Sequence, residues 1–216
     1  FAQQFAISAV LGAIGNALAP KPEQFTSASE LRGRQIMSKQ AISPRDVVYG
    51  RVKKSGTIVF LETTNNNENL HVCVTLAGHE ISAVEQVFFN DQIVRGSVGV
   101  GMSDGVEVAP NLSTVPDYSA KAKFTPHNGS DSQLADANLV SRTSFTNDHR
   151  LRGIAYLYAF LEYDQDIFAN GLPNISAIVA GKKVYDPRSE TTSYSSNAAL
   201  CIRDYLTNSQ YGLGAS

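Results

Sequence analysis

The run LRGIAYLYAFLEYDQDIFANGLPNISAIVAGKKVYDP, Leu151 to Pro187, decides how the rest of the chain must be arranged. From Leu151 to Tyr163 β-formers crowd together with no proline among them, a length and composition that predict a long strand. Successive side chains of a strand point to opposite sides, so one face carries Ile154, Tyr156, Tyr158 and Phe160, and the other Ala155, Leu157, Ala159 and Leu161. Both faces are apolar and both need cover. Each large side chain buried contributes roughly 1.5–3 kcal/mol, which predicts the centre of the core and not a sheet edge. The loop Asp164 to Asn174, with Gly171, Pro173 and Asn174, turns the chain back into a second strand, Ile175 to Ala180, which ends at Gly181, Lys182 and Lys183.

Outward from that stretch, composition sets limits. A chain of 216 residues can hold one large domain or two small ones without covalent staples. Its 43% apolar and 18% charged residues suit a globular fold with a weakly charged surface. Eighteen basic against twenty acidic residues leave a net charge of −2, which supplies no sequence-wide attraction for nucleic acid or anionic lipid. Cys73 and Cys201 are too sparse for a disulfide framework and read as free thiols. The chain opens on Phe1 with no initiator methionine, which reads as a piece of something longer.

Residues 1–20 form an apolar arm. Phe5, Ile7, Val10, Leu11, Ile14, Ala17 and Leu18 cover most of a helix circumference before Pro20 stops it. Gln3, Gln4 and Asn16 leave an apolar part of about 15 residues against the roughly 20 a bilayer needs, so no stable membrane span is expected. Ala17-Leu18-Ala19 resembles a signal-peptidase site, but no basic region precedes it and Pro20 follows. A helix apolar all round must be covered by something, and partner subunits are the expected cover.

Val47 to Thr63 reads as two β-rich runs joined by Lys54-Ser55-Gly56, a hairpin by composition. Asn65 to Asn69 is a polar loop. Leu70, Val72, Val74 and Leu76 alternate with His71, Cys73 and Thr75, which predicts a strand with one buried face, and Val84 to Phe89 is another before the Asn90-Asp91 turn. Residues 96–145, rich in Gly, Pro, Ser, Asn and Asp, read as an irregular insertion, a length that serves an interface more often than it sits idle. Ser195 or Ser196 caps a helix to about Asn208, with Cys201, Ile202, Tyr205 and Leu206 on its inner side.

Constellations that could carry chemistry are incomplete. His79-Glu80 opens like HExxH, but Ala83 stands where the second histidine must be, and His71 with Cys73 falls short of the three or four ligands a metal needs, so no metal and no cofactor is expected. The glycines at 96, 99, 101 and 105 miss the dinucleotide pattern, with Asp104 in the third glycine's place and no helix after it. The acid pairs Glu162/Asp164 and Asp164/Asp166 could serve as glycosidase acid and base, yet solvated acids at a strand end look the same. No catalytic residue is assigned, and the chain is not expected to be an enzyme. Asn111, Asn128 and Asn174 fit a glycosylation pattern that needs a secretory route to matter. The two densest basic spots are Arg51, Lys53 and Lys54 on the hairpin, and His149, Arg150 and Arg152 before the long strand. No stacking platform of aromatics stands beside them, so specific nucleic-acid binding is not expected. Subunit contacts suit them better. With Phe5, Val10, Leu11 and Ile14 of the arm, Arg51, Lys53, His149, Arg150 and Arg152 are the candidate contact residues.

Several motifs carry a resemblance. Leu31-Arg32-Gly33-Arg34, Pro44-Arg45, Val48-Tyr49-Gly50-Arg51-Val52, Leu76-Ala77-Gly78-His79-Glu80-Ile81 and Thr146 to Tyr156 look like the phage-tail hub family. So do Gly171-Leu172-Pro173-Asn174, Gly181 to Arg188, Asn197 to Leu200, Arg203-Asp204-Tyr205-Leu206 and Tyr211-Gly212-Leu213-Gly214. This is the tip attachment, or host-specificity, protein group of long-tailed phages and gene transfer agents. The match covers residues 31–95 and 146–214; residues 96–145 fit poorly.

The resemblance implies a mainly β (α+β) fold. A hub-type β-barrel domain would be built from residues 21–95 and 146–216, interrupted by the insertion at 96–145 and flanked by the N-terminal arm and a C-terminal helix. It implies a structural virion protein: the central hub of the tail tip, a homotrimer that closes the tube end at the distal end of the phage tail. Its partners would be the distal tail protein, other tail-tip proteins and the tape measure protein. Two rivals are a tail-associated cell-wall hydrolase, which requires converging acids in a cleft, and a carbohydrate-binding β domain.

Overall fold

The strand that the sequence places at the centre, β7 (Ala155–Glu162), pairs antiparallel with β3 (Asn69–Ala77) on one side and β6 (Ala122–His127) on the other. The computed structural model describes Met37 and residues 44–96, 101–111 and 116–215; the N-terminal arm, with Phe5, Val10, Leu11 and Ile14, lies outside them. The other elements are β1 (Arg51–Lys54), β2 (Ile58–Thr64), β4 (Ala83–Phe89), β5 (Gln92–Arg95), α1 (Ala137–Arg142), β8 (Ile175–Ala180), β9 (Lys183–Asp186), β10 (Thr191–Tyr194) and α2 (Ala198–Thr207). They form two four-stranded antiparallel sheets, β2-β3-β7-β6 and β1-β8-β4-β5, and a β9-β10 ribbon. The fold is mainly β, as expected. Among the described residues the strands make two facing sheets and no closed barrel.

Both faces of β7 are covered, and by different things. Ala155, Leu157, Ala159 and Leu161 join Val72, Val74 and Phe124 of their own sheet against Val84, Phe89, Ile175 and Val179 of the other. Tyr156 and Tyr158 point the other way, with Cys73, and meet Leu139 of α1 and Phe145. The alternation along the strand is the one that its period of two predicts. The strand is shorter than the run Leu151 to Tyr163. Leu151 and Gly153 take φ of +49° and +70°, and the Ile154 amide donates to the Leu151 carbonyl, so a turn occupies the first positions.

Three expectations are corrected. First, β1 and β2 do not form a hairpin: β1 pairs with β8 and β2 with β3, in different sheets. The connection crosses between layers because Ser55 donates its hydroxyl to the Ile175 carbonyl and the Thr75 amide donates to the Thr57 carbonyl. Gly56 makes the crossing possible, since a Cβ there would sit 1.7 Å from the Thr75 carbonyl oxygen. Second, β3 is buried on both faces, because α1 and its flanks cover His71 and Cys73. Third, Ile202, Tyr205 and Leu206 face outward on α2, and only Leu200 of that helix is buried.

The segment 96–145 is irregular over 101–111 yet supplies β6 and α1 to the domain. Met102 bridges to Val84 of β4 and Val108 to Phe124 of β6, and the Asn111 amide donates to the Val94 carbonyl of β5, so this excursion lies along the start of β4 and the β5 and β6 edges. That blunts two sheet edges that would otherwise present unpaired backbone. Phe89 anchors the same side, edge-on to Tyr118 at 4.8 Å and to Phe124 at 5.5 Å between ring centroids. Asp136 caps α1, its Oδ1 accepting from the Leu139 amide at 2.7 Å, and Asn197 caps α2 by accepting from the Ala199 amide.

Candidate functional site

Val48-Tyr49-Gly50, Gly181-Lys182, Asp204 and Tyr211 are far apart in sequence and meet at one junction. The Gly181 amide donates to the Gly50 carbonyl and the Lys182 amide to the Val48 carbonyl, extending the β1-β8 pairing by two residues. This approach needs a bare backbone, because a Cβ on Gly181 would lie 2.4 Å from the Val48 carbonyl oxygen. Beyond it, Asp204 of α2 accepts from the hydroxyls of Tyr49 and Tyr211 and from Lys182 Nζ, which lies 3.0 Å from Oδ2 and also bonds Tyr211. Burial pushes the Asp204 carboxyl up, but the bonds from Tyr49, Lys182 and Tyr211 outweigh it and hold the group below its ordinary value. Burial, then the bond to Asp204, pushes the Tyr49 phenol well above its ordinary range. The carboxylate is thus spent on holding α2.

His79, the start of the incomplete HExxH, belongs to the same junction. The Val48 amide donates to its Nε2 at 2.8 Å, so the proton sits on Nδ1 and is given to the Glu80 carbonyl at 2.7 Å. Burial holds this imidazole below its ordinary value, and both nitrogens are in use. A second polar line runs beneath α1. His71 spans the Thr64 hydroxyl at 2.8 Å and the Tyr158 hydroxyl at 2.9 Å, and Arg142 reaches Tyr158 while pairing with Glu107 at 2.6 Å. His127 stacks on Tyr156, 4.4 Å between centroids, and bonds Asp136 at 2.8 Å. His71 and Cys73 lie on one buried face, and burial lowers the first and raises the thiol of the second. Sequence reasoning missed this line because His71 and Cys73 read as the open face of their strand and residues 96–145 as an irregular insertion. The covering helix is not apparent from that strand alone.

Among the described residues no group of three or more His, Cys, Asp and Glu converges as metal ligands would, and no helix is long and apolar enough to cross a membrane. Glu162 pairs with Lys121, and Asp164 accepts from the amides of Asp166 and Ile167 in its own turn. These acids hold turns and strand ends.

The two basic spots are tied to their own chain. Arg51 Nε lies 2.6 Å from Glu85, and Lys53 pairs with Asp91 while standing 4.1 Å over the Phe88 ring. Lys54 is buried against Asp46. His149 accepts from Thr146, Arg150 donates to the Asn147 carbonyl, and Arg152 to the Gln133 carbonyl. The exposed apolar surface lies elsewhere. Tyr185, Ile202, Tyr205, Leu206 and Leu213 stand out around α2, and Val59, Leu61, Tyr163 and Leu172 around the β2 edge.

No protein-family model and no curated protein matches this chain. Among solved structures it is similar to a chain of a "Virion of native gene transfer agent (GTA) particle", with 15% identity and a TM-score of 0.46 over 83% of this chain and 38% of that one. The chain therefore spans well under half the length of that protein. Neither the identity nor the score is of a size that assigns function.

Proposed function

We propose that this chain is a structural protein of a virion, the central hub of a long phage tail, with no catalysis of its own. The observation that carries the reading is the junction of Tyr49, Lys182, Asp204 and Tyr211. Segments of the hub-like motifs that are far apart in sequence interlock there, and each side chain holds backbone or helix in place. Side chains given over to holding their own fold suit a protein whose work is architecture. In this reading copies close into a homotrimeric ring at the tube end. They contact the distal tail protein, the tape measure protein and other tip proteins, and host contact shifts the packing between subunits.

The test is location. Antibodies raised against residues 44–216, applied to purified particles of the producing strain, are expected to label one tail end, and mass spectrometry of those particles to recover peptides of this chain. Recovery of the chain only outside the particle overturns the virion reading. Label along the tube or on the head overturns the hub role alone.

A further inference from the structure

The described chain leaves two apolar surfaces uncovered, one at each end of β8. Before its first residue lies a groove of 180 Å³ lined by Leu70, Leu161, Tyr163, Phe168 and Leu172. Beside it β2 is an edge strand with Leu61 44% exposed on the same sheet face as Val72. Past the last residue of β8, α2 and the β9-β10 ribbon form a knob. Ile202 is 59% exposed and Leu213 is 68% exposed, while the Leu213 amide is fastened to the Tyr205 carbonyl. The strand β8 between them is six residues, about 20 Å, long. Leu200 and Asp204 turn inward on α2, so its outward ridge is Ala198, Ile202, Tyr205 and Leu206, an i, i+4, i+7, i+8 stripe that the described residues leave exposed.

The two surfaces differ in charge as well as in shape. Glu68 lines the groove, and the loop that supplies Tyr163 and Phe168 carries Asp164 and Asp166. The knob is flanked by exposed Arg203, stacked 5.3 Å over the Tyr185 ring, while the Arg188 charge in the ribbon turn is taken up by Asp186 at 2.7 Å. We propose that the α2 knob of one copy seats in the Leu70–Tyr163–Leu172 groove of a second copy. There Arg203 faces the acidic loop. A contact between two different surfaces, one at each end of β8, is head to tail, and head-to-tail contacts generate a ring where the rotation closes. The proposal names the subunit contact of the hub reading and rests on it.

The experiment uses the full chain and sedimentation velocity over a concentration series. Ile202→Asp spoils the knob and Leu172→Asp the groove; both positions are exposed, and circular dichroism with a thermal melt checks the fold. The wild-type chain is expected to assemble, and each variant to need about tenfold or more protein for the same assembly. Each variant keeps one sound surface, so an equimolar mixture is expected to recover a 1:1 dimer that grows no further. A surface that packs on its own copy would show no such rescue. Arg203→Glu and Asp166→Arg supply a second pair, each weak alone and restored together. A wild-type chain that stays monomeric, variants that assemble like wild type, or a mixture that recovers nothing overturns the contact. If the chain is then still found at the tail end of particles, the virion reading stands and only this contact falls.

Discussion

Tyr156 and Tyr158 sit two residues apart on one face of β7, both fully buried, and their hydroxyls have opposite fates. The Tyr158 hydroxyl bonds His71 and lies within reach of Arg142, whereas among the described residues the Tyr156 hydroxyl has no partner. Removing a partner strands a buried polar atom, so Tyr158→Phe is expected to cost about 1–3 kcal/mol in urea unfolding. Tyr156→Phe removes a group that is itself stranded, and is expected to be neutral or to add up to about 1 kcal/mol. Equal losses for the two would refute the assignment. Among the described glycines Gly56 would hold a Cβ in the shortest contact. Because its Cβ would meet the Thr75 carbonyl oxygen at 1.7 Å, Gly56→Ala is expected to cost roughly 3 kcal/mol or more, seen as a large fall in the unfolding midpoint. Neither tyrosine's role is legible in sequence. Alternation tells that both point inward on one face, but the fate of a hydroxyl depends on His71 and Arg142, which lie 87 and 16 residues away in the chain.

At the scale of elements, legibility follows the range of the forces. The existence of β3, β4, β7 and β8 is written in local runs of β-formers, and both covered faces of β7 follow from the lack of charged residues between Ala155 and Leu161. Partner choice is not local: β1 waits for β8 and β2 for β3, so the apparent hairpin around Lys54-Ser55-Gly56 is broken by bonds to Ile175 and Thr75. Helix α2 misleads for a related reason. Its apolar stripe predicts an inward face, but Asp204 with Lys182, Tyr49 and Tyr211 turns the other side to the domain. The candidate junction was therefore visible only as separate motif fragments. Asp204→Asn removes the charge that Lys182 faces, and is expected to speed amide exchange in α2 about tenfold or more while β7 amides stay protected. Uniform exchange across both elements would show that α2 is held some other way.

For the whole molecule, pH reads out the buried imidazoles. His71 and His79 are both held below the ordinary value near 6.5, in each case chiefly by burial. As pH falls through 6.5 the unfolded chain takes up these protons before the folded one, so stability is full above that pH and declines below it. The urea midpoint is expected to drop between pH 7 and pH 5, ahead of the window in which carboxylates titrate. A midpoint that holds or rises over that interval contradicts the locked neutral forms.

The strand orders β2-β3-β7-β6 and β1-β8-β4-β5 also have a consequence for biosynthesis. Each sheet has one of its two inner strands, β7 or β8, encoded after all its other members. A ribosome moving at about 5–20 residues per second needs roughly 4–16 s to travel from the end of β3 to the start of β7. By the end of that interval β3 and β4 have been made with one side unfilled. A nascent chain of this kind is a natural client for a holding chaperone, and one stalled before Ala155 would be left with sticky, half-built sheets.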